Sequence, residues 1–166
     1  VRQAGALYGL AQLYAYTKDQ RIEITLEKGF DYLRRLTATQ SAESSAITYN
    51  DETPSNATAL VVLGFIEYME ADEKHKTTEN LEYLVRLSNY LVLTQMPSGS
   101  YANEYIPEPM ESDYNNGETM YALIRSYTLT QNERYLTSVK RFANYAITTY
   151  GEQEFNSSFF SWGMAG

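Results

Sequence analysis

The chain has no cysteine in its 166 residues, one histidine and four prolines. Without cysteine there is no disulfide and no thiol chemistry. With His75 as the only imidazole, zinc and redox-metal sites lack the ligands they need. No metal and no cofactor is therefore expected. His75 lies in the polar stretch "ADEKHKTTE" and reads as a solvated turn residue. No apolar run approaches the roughly 20 residues that cross a bilayer, so no membrane partner is expected. The chain opens on "VRQAG", without Met, and closes on the apolar "FFSWGMAG". It is expected to be one domain, 1–166, cut from a longer protein.

Positive charge is scarce in a particular way. No Lys or Arg occurs between Arg35 and Lys74, a span that holds Glu43, Asp51, Glu52, Glu67, Glu70, Asp72 and Glu73. None occurs between Arg86 and Arg125 either, a span that holds Glu104, Glu108, Glu111, Asp113 and Glu118. The net charge is −8. Nucleic acid is excluded as a partner, because it requires a basic face. The bland account of the acids is that they solvate loops.

What the chain does have is apolar and aromatic. Hydrophobic residues make up 43% and charged residues 20%, which excludes disorder. Sixteen Tyr and six Phe supply large contact faces, suited equally to a wet core edge and to stacking on sugars.

Periodicity predicts six helices in three pairs, at Arg2–Thr17 and Arg21–Thr37, Asn56–Ala71 and Thr77–Thr94, Gly117–Thr130 and Glu133–Tyr150. The turns "TKDQ" and "TQNE" are short and polar, as antiparallel hairpins need. The first and last pairs align without a gap, 113 positions apart, matching Tyr8 with Tyr121, Tyr14 with Tyr127 and Arg21 with Arg134. Helices one, three and five are apolar nearly all round, which places them inside. Leu10, Tyr14, Leu63, Phe65, Leu123 and Ile124 are their expected core residues. Helices two and six carry one stripe each, through Leu26, Phe30 and Leu33 and through Tyr135, Val139 and Phe142, and read as outer helices. Gly9, Gly64 and Gly117 cost about 1 kcal/mol each within helices and so suggest close backbone approach. Long links separate the pairs, and "GSYANEY" predicts a short β-hairpin near Gly99–Tyr105. The repeat is an inner helix, a turn, an outer helix and a long loop.

The stretches "RQAGALYGLAQLYAYTKDQRIE", "TQMPSGSYANEY" and "NNGETMYALIRSYTLTQNERYLTSVKRFANY" resemble the all-α (α/α)-toroid group, and within it six-hairpin glycosidase-like domains of bacterial carbohydrate enzymes. The resemblance implies alternating inner and outer helices forming part of a ring. A fourth pair would begin near Phe159–Gly166, and the remainder of the toroid or a second copy would complete the ring. It further implies a cleft where the inner-helix N-termini gather. Arg2, Gln3, Asn56 and Asn116 would converge there as substrate-binding residues, with Tyr101, Tyr105 and Tyr114 from the loops. Asn116 would cap helix five and Glu118 would fill its first turn. Glu118, Asp113, Asp51 and Glu52 are the catalytic candidates, since two carboxylates roughly 5–9.5 Å apart can serve as acid and base on a glycosidic bond. The implied activity is a carbohydrate hydrolase, lyase or epimerase with an oligosaccharide partner. The alternative is a non-catalytic ligand-binding or scaffold domain. A terpenoid-cyclase-like activity would need a clustered "DDxxD", and none is present.

Overall fold

Six helices pair in chain order: α1 (Arg2–Thr17) with α2 (Gln20–Arg35), α3 (Ser55–Ala71) with α4 (Thr78–Leu93), and α5 (Asp113–Thr130) with α6 (Glu133–Tyr150). The structure is a computed structural model that describes residues 1–111 and 113–150, apart from the side chains of Asp113 and Tyr114. The terminal "FFSWGMAG" and the expected fourth pair lie outside the described residues.

The turns explain the 113-residue repeat. Lys18 and Gln131 both take left-handed backbone, each with φ 56°. Their amides bond back to Tyr14 O and Tyr127 O, both at 2.8 Å. The next residue then caps the outer helix, through Arg21 N–Asp19 Oδ1 at 2.8 Å and Arg134 N–Asn132 Oδ1 at 3.1 Å. The first and third hairpins therefore turn by the same chemistry.

Thirteen of the seventeen residues of α3 are buried. It runs between α1 and α5, with α4 behind it. Contacts pair Tyr8 with Gly64 and Tyr14 with Tyr68, so α1 and α3 are parallel. A Cβ on Gly64 would meet Tyr8 Cα at 3.1 Å, and one on Gly29 would meet the Leu7 side chain at 2.3 Å. These two glycines let α1 close on α3 and on α2. Edge-on rings then carry the core outward, Phe30 to Phe65 at 4.9 Å and Phe65 to Tyr83 at 5.4 Å. Tyr14, Leu63, Phe65 and Leu123 are buried as expected. Leu10 and Ile124 are only half-buried, because they sit toward the flanks of α1 and α5 rather than under an outer helix.

Three local expectations change. The hairpin is in the other link, where β1 (Thr37–Ser41) pairs antiparallel with β2 (Ser44–Ile47). β2 is buried throughout and lies on α4. The "GSYANEY" stretch makes isolated bridges instead, Gln95 to Tyr101 and Ala102 to Glu111, because its backbone is taken up by α3, with Ser55 N donating to Asn103 O at 2.7 Å. Helix α5 starts at Asp113, so Asn116 lies inside it and is not its cap, and Glu118 falls beyond its first turn. His75, expected in solvent, is 6% exposed and lies flat on Tyr68 at 3.8 Å. It sits in a 3-10 turn (Glu73–His75) that folds under the C-terminal ends of α1 and α3. Its Nε2 is 3.0 Å from Glu23 Oε1, which also meets Lys74 Nζ at 2.5 Å.

Leu123 is fully buried. Leu123→Ala should cost about 2–5 kcal/mol in urea unfolding, whereas a loss below about 1 kcal/mol would place α5 on the surface. The pH dependence of stability follows from His75. Burial, then the Lys74 ammonium, push its pKa down against the pull of Glu23 and Asp72. The unfolded chain thus takes up this proton at a higher pH than the folded one. The stabilising contribution is present above about pH 6.5 and is lost as pH falls through that value. Unfolding free energy should drop between pH 7.5 and 5.5, and His75→Phe should flatten the drop. Superimposable slopes for the two proteins would show that His75 titrates alike in both states.

Candidate inner-helix face and loop end

The N-terminal ends of α3 and α5 are stitched together by the segment after Gly99. Ser55 Oγ donates to Ala102 O at 2.9 Å, and Tyr101 N donates to Asn116 Oδ1 at 2.6 Å. The Asn116 side chain is thus spent on a neighbouring segment, which accounts for its place within the helix. It is 0% exposed, and its Nδ2 has no hydrogen-bond partner among the described residues. Glu118 is 1% exposed. Thr119 is also fully buried.

The other expected residues scatter. Tyr101 is no loop-tip platform. Its ring is in the core, 5.3 Å from Phe142, and its hydroxyl meets Ser138 Oγ at 3.0 Å. Burial raises its pKa. Tyr105 is 54% exposed. Asn56 is half-buried, and Arg2 and Gln3 are exposed. Asp51 and Glu52 are exposed on a tight turn in which Asn50 and Asp51 both have positive φ, 51° and 65°. The Asp113 and Tyr114 side chains lie outside the described residues. Asp51 and Glu52 face solvent whereas Glu118 is sealed inside, so these carboxylates stand in opposite environments. A small cleft of about 40 Å³ opens at this end among Gln3, Ala4, Thr48, Tyr49 and Ala57. Ordinary small-molecule pockets hold roughly 300–1,000 Å³.

A polar cluster that the sequence reading missed lies on the inner helices themselves. Apart from Ala71 at its end, the positions of α3 that are not buried are Asn56, Glu67 and Glu70. At about 100° per residue these three fall within about 60° of one another, on one face. Arg125 of α5 reaches that face, with Nη1 2.8 Å from Glu67 Oε1 and Nη2 2.7 Å from Glu70 Oε2. Nη1 also donates to Tyr121 Oη at 3.3 Å. Tyr121 lies beside Tyr8 of α1 and acts on its hydroxyl, so all three inner helices contribute. Burial works against the Arg125 charge, yet Tyr121, Glu67 and Glu70 more than offset it and its pKa stands above the usual value. Tyr8 is pushed up to about 12, first by burial and then by Tyr121 and Glu67. The signal available in the sequence was indirect. Arg125, Glu67 and Glu70 are the charges of otherwise apolar inner-helix runs.

No group of three or more His, Cys, Asp or Glu side chains suited to a metal occurs among the described residues. No helix among them is long and apolar enough to cross a membrane. The Arg125 cluster predicts a stability effect. Arg125→Met strands two partly buried carboxylates and should cost about 1–3 kcal/mol in urea unfolding. Adding Glu67→Gln to that variant should restore part of the loss. Additive losses would show that the pair is not coupled.

No family profile matches this sequence, and no curated protein matches it. Solved structures share its fold. A GH76 α-mannanase of Bacteroides thetaiotaomicron matches with TM-score 0.69 at 12% identity, over 88% of this chain and 43% of that one. An inactive variant of the GH76A α-1,6-mannanase of Salegentibacter sp. HEL1_6, in complex with α-1,6-mannotetrose, matches with TM-score 0.70 at 17% identity, over 92% and 49%. A family 76 glycoside hydrolase from a bovine Bacteroides thetaiotaomicron strain matches with TM-score 0.68 at 19% identity, over 85% and 33%. The chain spans less than half the length of each. At these identities the likeness is one of fold, and that fold is part of an (α/α) toroid, with α1, α3 and α5 inside and α2, α4 and α6 outside.

Proposed function

We propose that this chain forms one wall of a carbohydrate-processing toroid and holds a neutral oligosaccharide along the open face of its inner helices. The observation that carries this reading is the Tyr8–Tyr121–Arg125–Glu67–Glu70 cluster. Planar polar groups beside phenol rings can bond sugar hydroxyls while the rings meet C–H faces. The Arg125 charge is already taken by two carboxylates, so it offers little to an anionic sugar. The acidic loops add to that bias. The toroids of like fold include one solved with α-1,6-mannotriose and one with α-1,6-mannotetrose, which makes these the first probes. Asn56 lies on the same face and extends the proposed site toward the loop end. There Arg2, Gln3, Tyr105 and Tyr114 remain proposed sugar contacts, whereas Asn116, expected among them, is buried against the 101–103 segment. Glu118, Asp113, Asp51 and Glu52 remain the proposed acids for any hydrolytic or eliminative step.

A specific observation favours the non-catalytic reading. The chain's own segment 101–103 bonds to the N-terminal ends of α3 and α5, and the cleft beside α1 at the loop end is far smaller than a sugar site. Calorimetry with α-1,6-mannotetraose and with a uronic-acid tetramer separates these ideas. Binding of the neutral sugar should weaken about tenfold in Tyr121→Phe, the worth of one hydrogen bond. Tighter binding of the uronic acid, indifferent to this substitution, would refute both ligand class and face. Chromatography after long incubation reads catalysis. Cleavage abolished by Glu118→Gln supports the enzyme, and intact sugar supports the binding domain.

A further inference from the structure

The two long links meet at the N-terminal end of α3, and each has a tip closed on itself. In the first, Tyr49 N donates to Glu52 O at 2.9 Å and Glu52 N to Tyr49 O at 3.1 Å. In the second, Asn103 N donates to Met110 O at 2.9 Å and Met110 N to Asn103 Oδ1 at 3.3 Å. One hydroxyl then joins the two tips. Tyr90 of α4 is 0% exposed. Its Oη donates to Thr53 O, lies 3.2 Å from Thr53 Oγ1 and accepts from Tyr105 N at 3.3 Å. A second tie runs from Thr53 N to Glu104 Oε2 at 3.3 Å. Burial raises the Tyr90 pKa, so the phenol keeps the proton it donates.

What these fixed tips present to water is apolar. Tyr49 is 63% exposed, Ile106 46% and Met110 68%, beside the exposed Tyr105. Large apolar side chains on ordered loops mark a contact site. A further hairpin of a ring would flank α1 or α5, whereas these tips stand over α3, between the two. Asp51, Glu52, Glu104 and Glu108 lie on the same tips and disfavour an anion. Phenol faces suit the C–H surfaces of a neutral sugar, and holding them still reduces the entropy lost on binding. We propose, resting on the sugar reading above, that Tyr90 is a positioning residue that locks the two links into one rim, on which Tyr49 and Tyr105 stack a neutral oligosaccharide. Tyr90 itself touches no ligand. Asn56, next to the tied Ser55, leads from this rim to the inner-helix face.

Tyr90→Phe removes one oxygen and keeps the ring. Exchange of the Tyr105 amide, followed by NMR, should quicken about tenfold, while the Leu123 amide and the helical circular dichroism stay unchanged. In calorimetry with mannotetraose, Tyr90→Phe should weaken binding about tenfold in the unsubstituted protein. It should change nothing once Tyr49→Ala and Tyr105→Ala are present, because a rim without rings has nothing to position. Equal losses in both backgrounds would make Tyr90 merely structural and overturn the proposal, as would an unchanged Tyr105 amide. Sugar binding indifferent to Tyr49→Ala and Tyr105→Ala would overturn the rim and spare the inner-helix face. No binding by the unsubstituted protein would refute the sugar reading and the rim with it.

Discussion

The burial of α3 is the constraint on which the architecture rests. A helix that is apolar on nearly every side must be covered on nearly every side. One outer helix covers one face. Two inner neighbours must supply the rest, and they can do so only at short range. Gly64 makes that range accessible to α1. Ring curvature follows, because helices that flank a common neighbour on one side of an outer layer turn toward each other. The polar face of α3 is then where α1 and α5 can meet across it, through Tyr8 and Tyr121.

The two ends of the molecule are tied by different chemistry. At the loop end, backbone groups of 101–103 satisfy Ser55 and Asn116. At the far end a buried imidazole, two phenols and a Glu23–Lys74 ion pair join α1, α2 and α3. The inner-helix cluster lies between them. Its arginine is held by carboxylates of the neighbouring helix, so its geometry depends on how closely α3 and α5 approach. A change that loosens that approach would disturb the proposed sugar face without touching it.

Much of the fold was legible because it is written in local signals. The α1 and α6 boundaries read from periodicity match those observed, and the 113-residue repeat reflects turns whose hydrogen bonds repeat too. Tertiary partners hid the rest. "YNNGE" looks like a helix start, yet Asn116 serves Tyr101 and the helix runs through it. His75 sits among charges in sequence and among rings in space. Tyr101 and Tyr105 are near neighbours in sequence, but one is core and the other surface. Arg125 and its carboxylates lie 55 and 58 residues apart, beyond any local pattern.

The alternation of inner and outer helices also bears on the uneven charge along the chain. Each helix carries roughly half a positive charge at its N-terminus and half a negative charge at its C-terminus. At the loop end three inner N-termini meet three outer C-termini, so these partial charges, about half a charge each, largely cancel. The loops between hairpins, where Lys and Arg are missing, arrive there with Asp51, Glu52, Glu104 and Glu111. The opposite end carries Lys18, Lys74 and Lys76, and Lys18 Nζ donates to Ala71 O, the last carbonyl of α3, at 2.5 Å. Such a cation acts on the single helix terminus it touches, and the backbone does not neutralise the acids of the loop end. That end therefore keeps the negative field of its side chains.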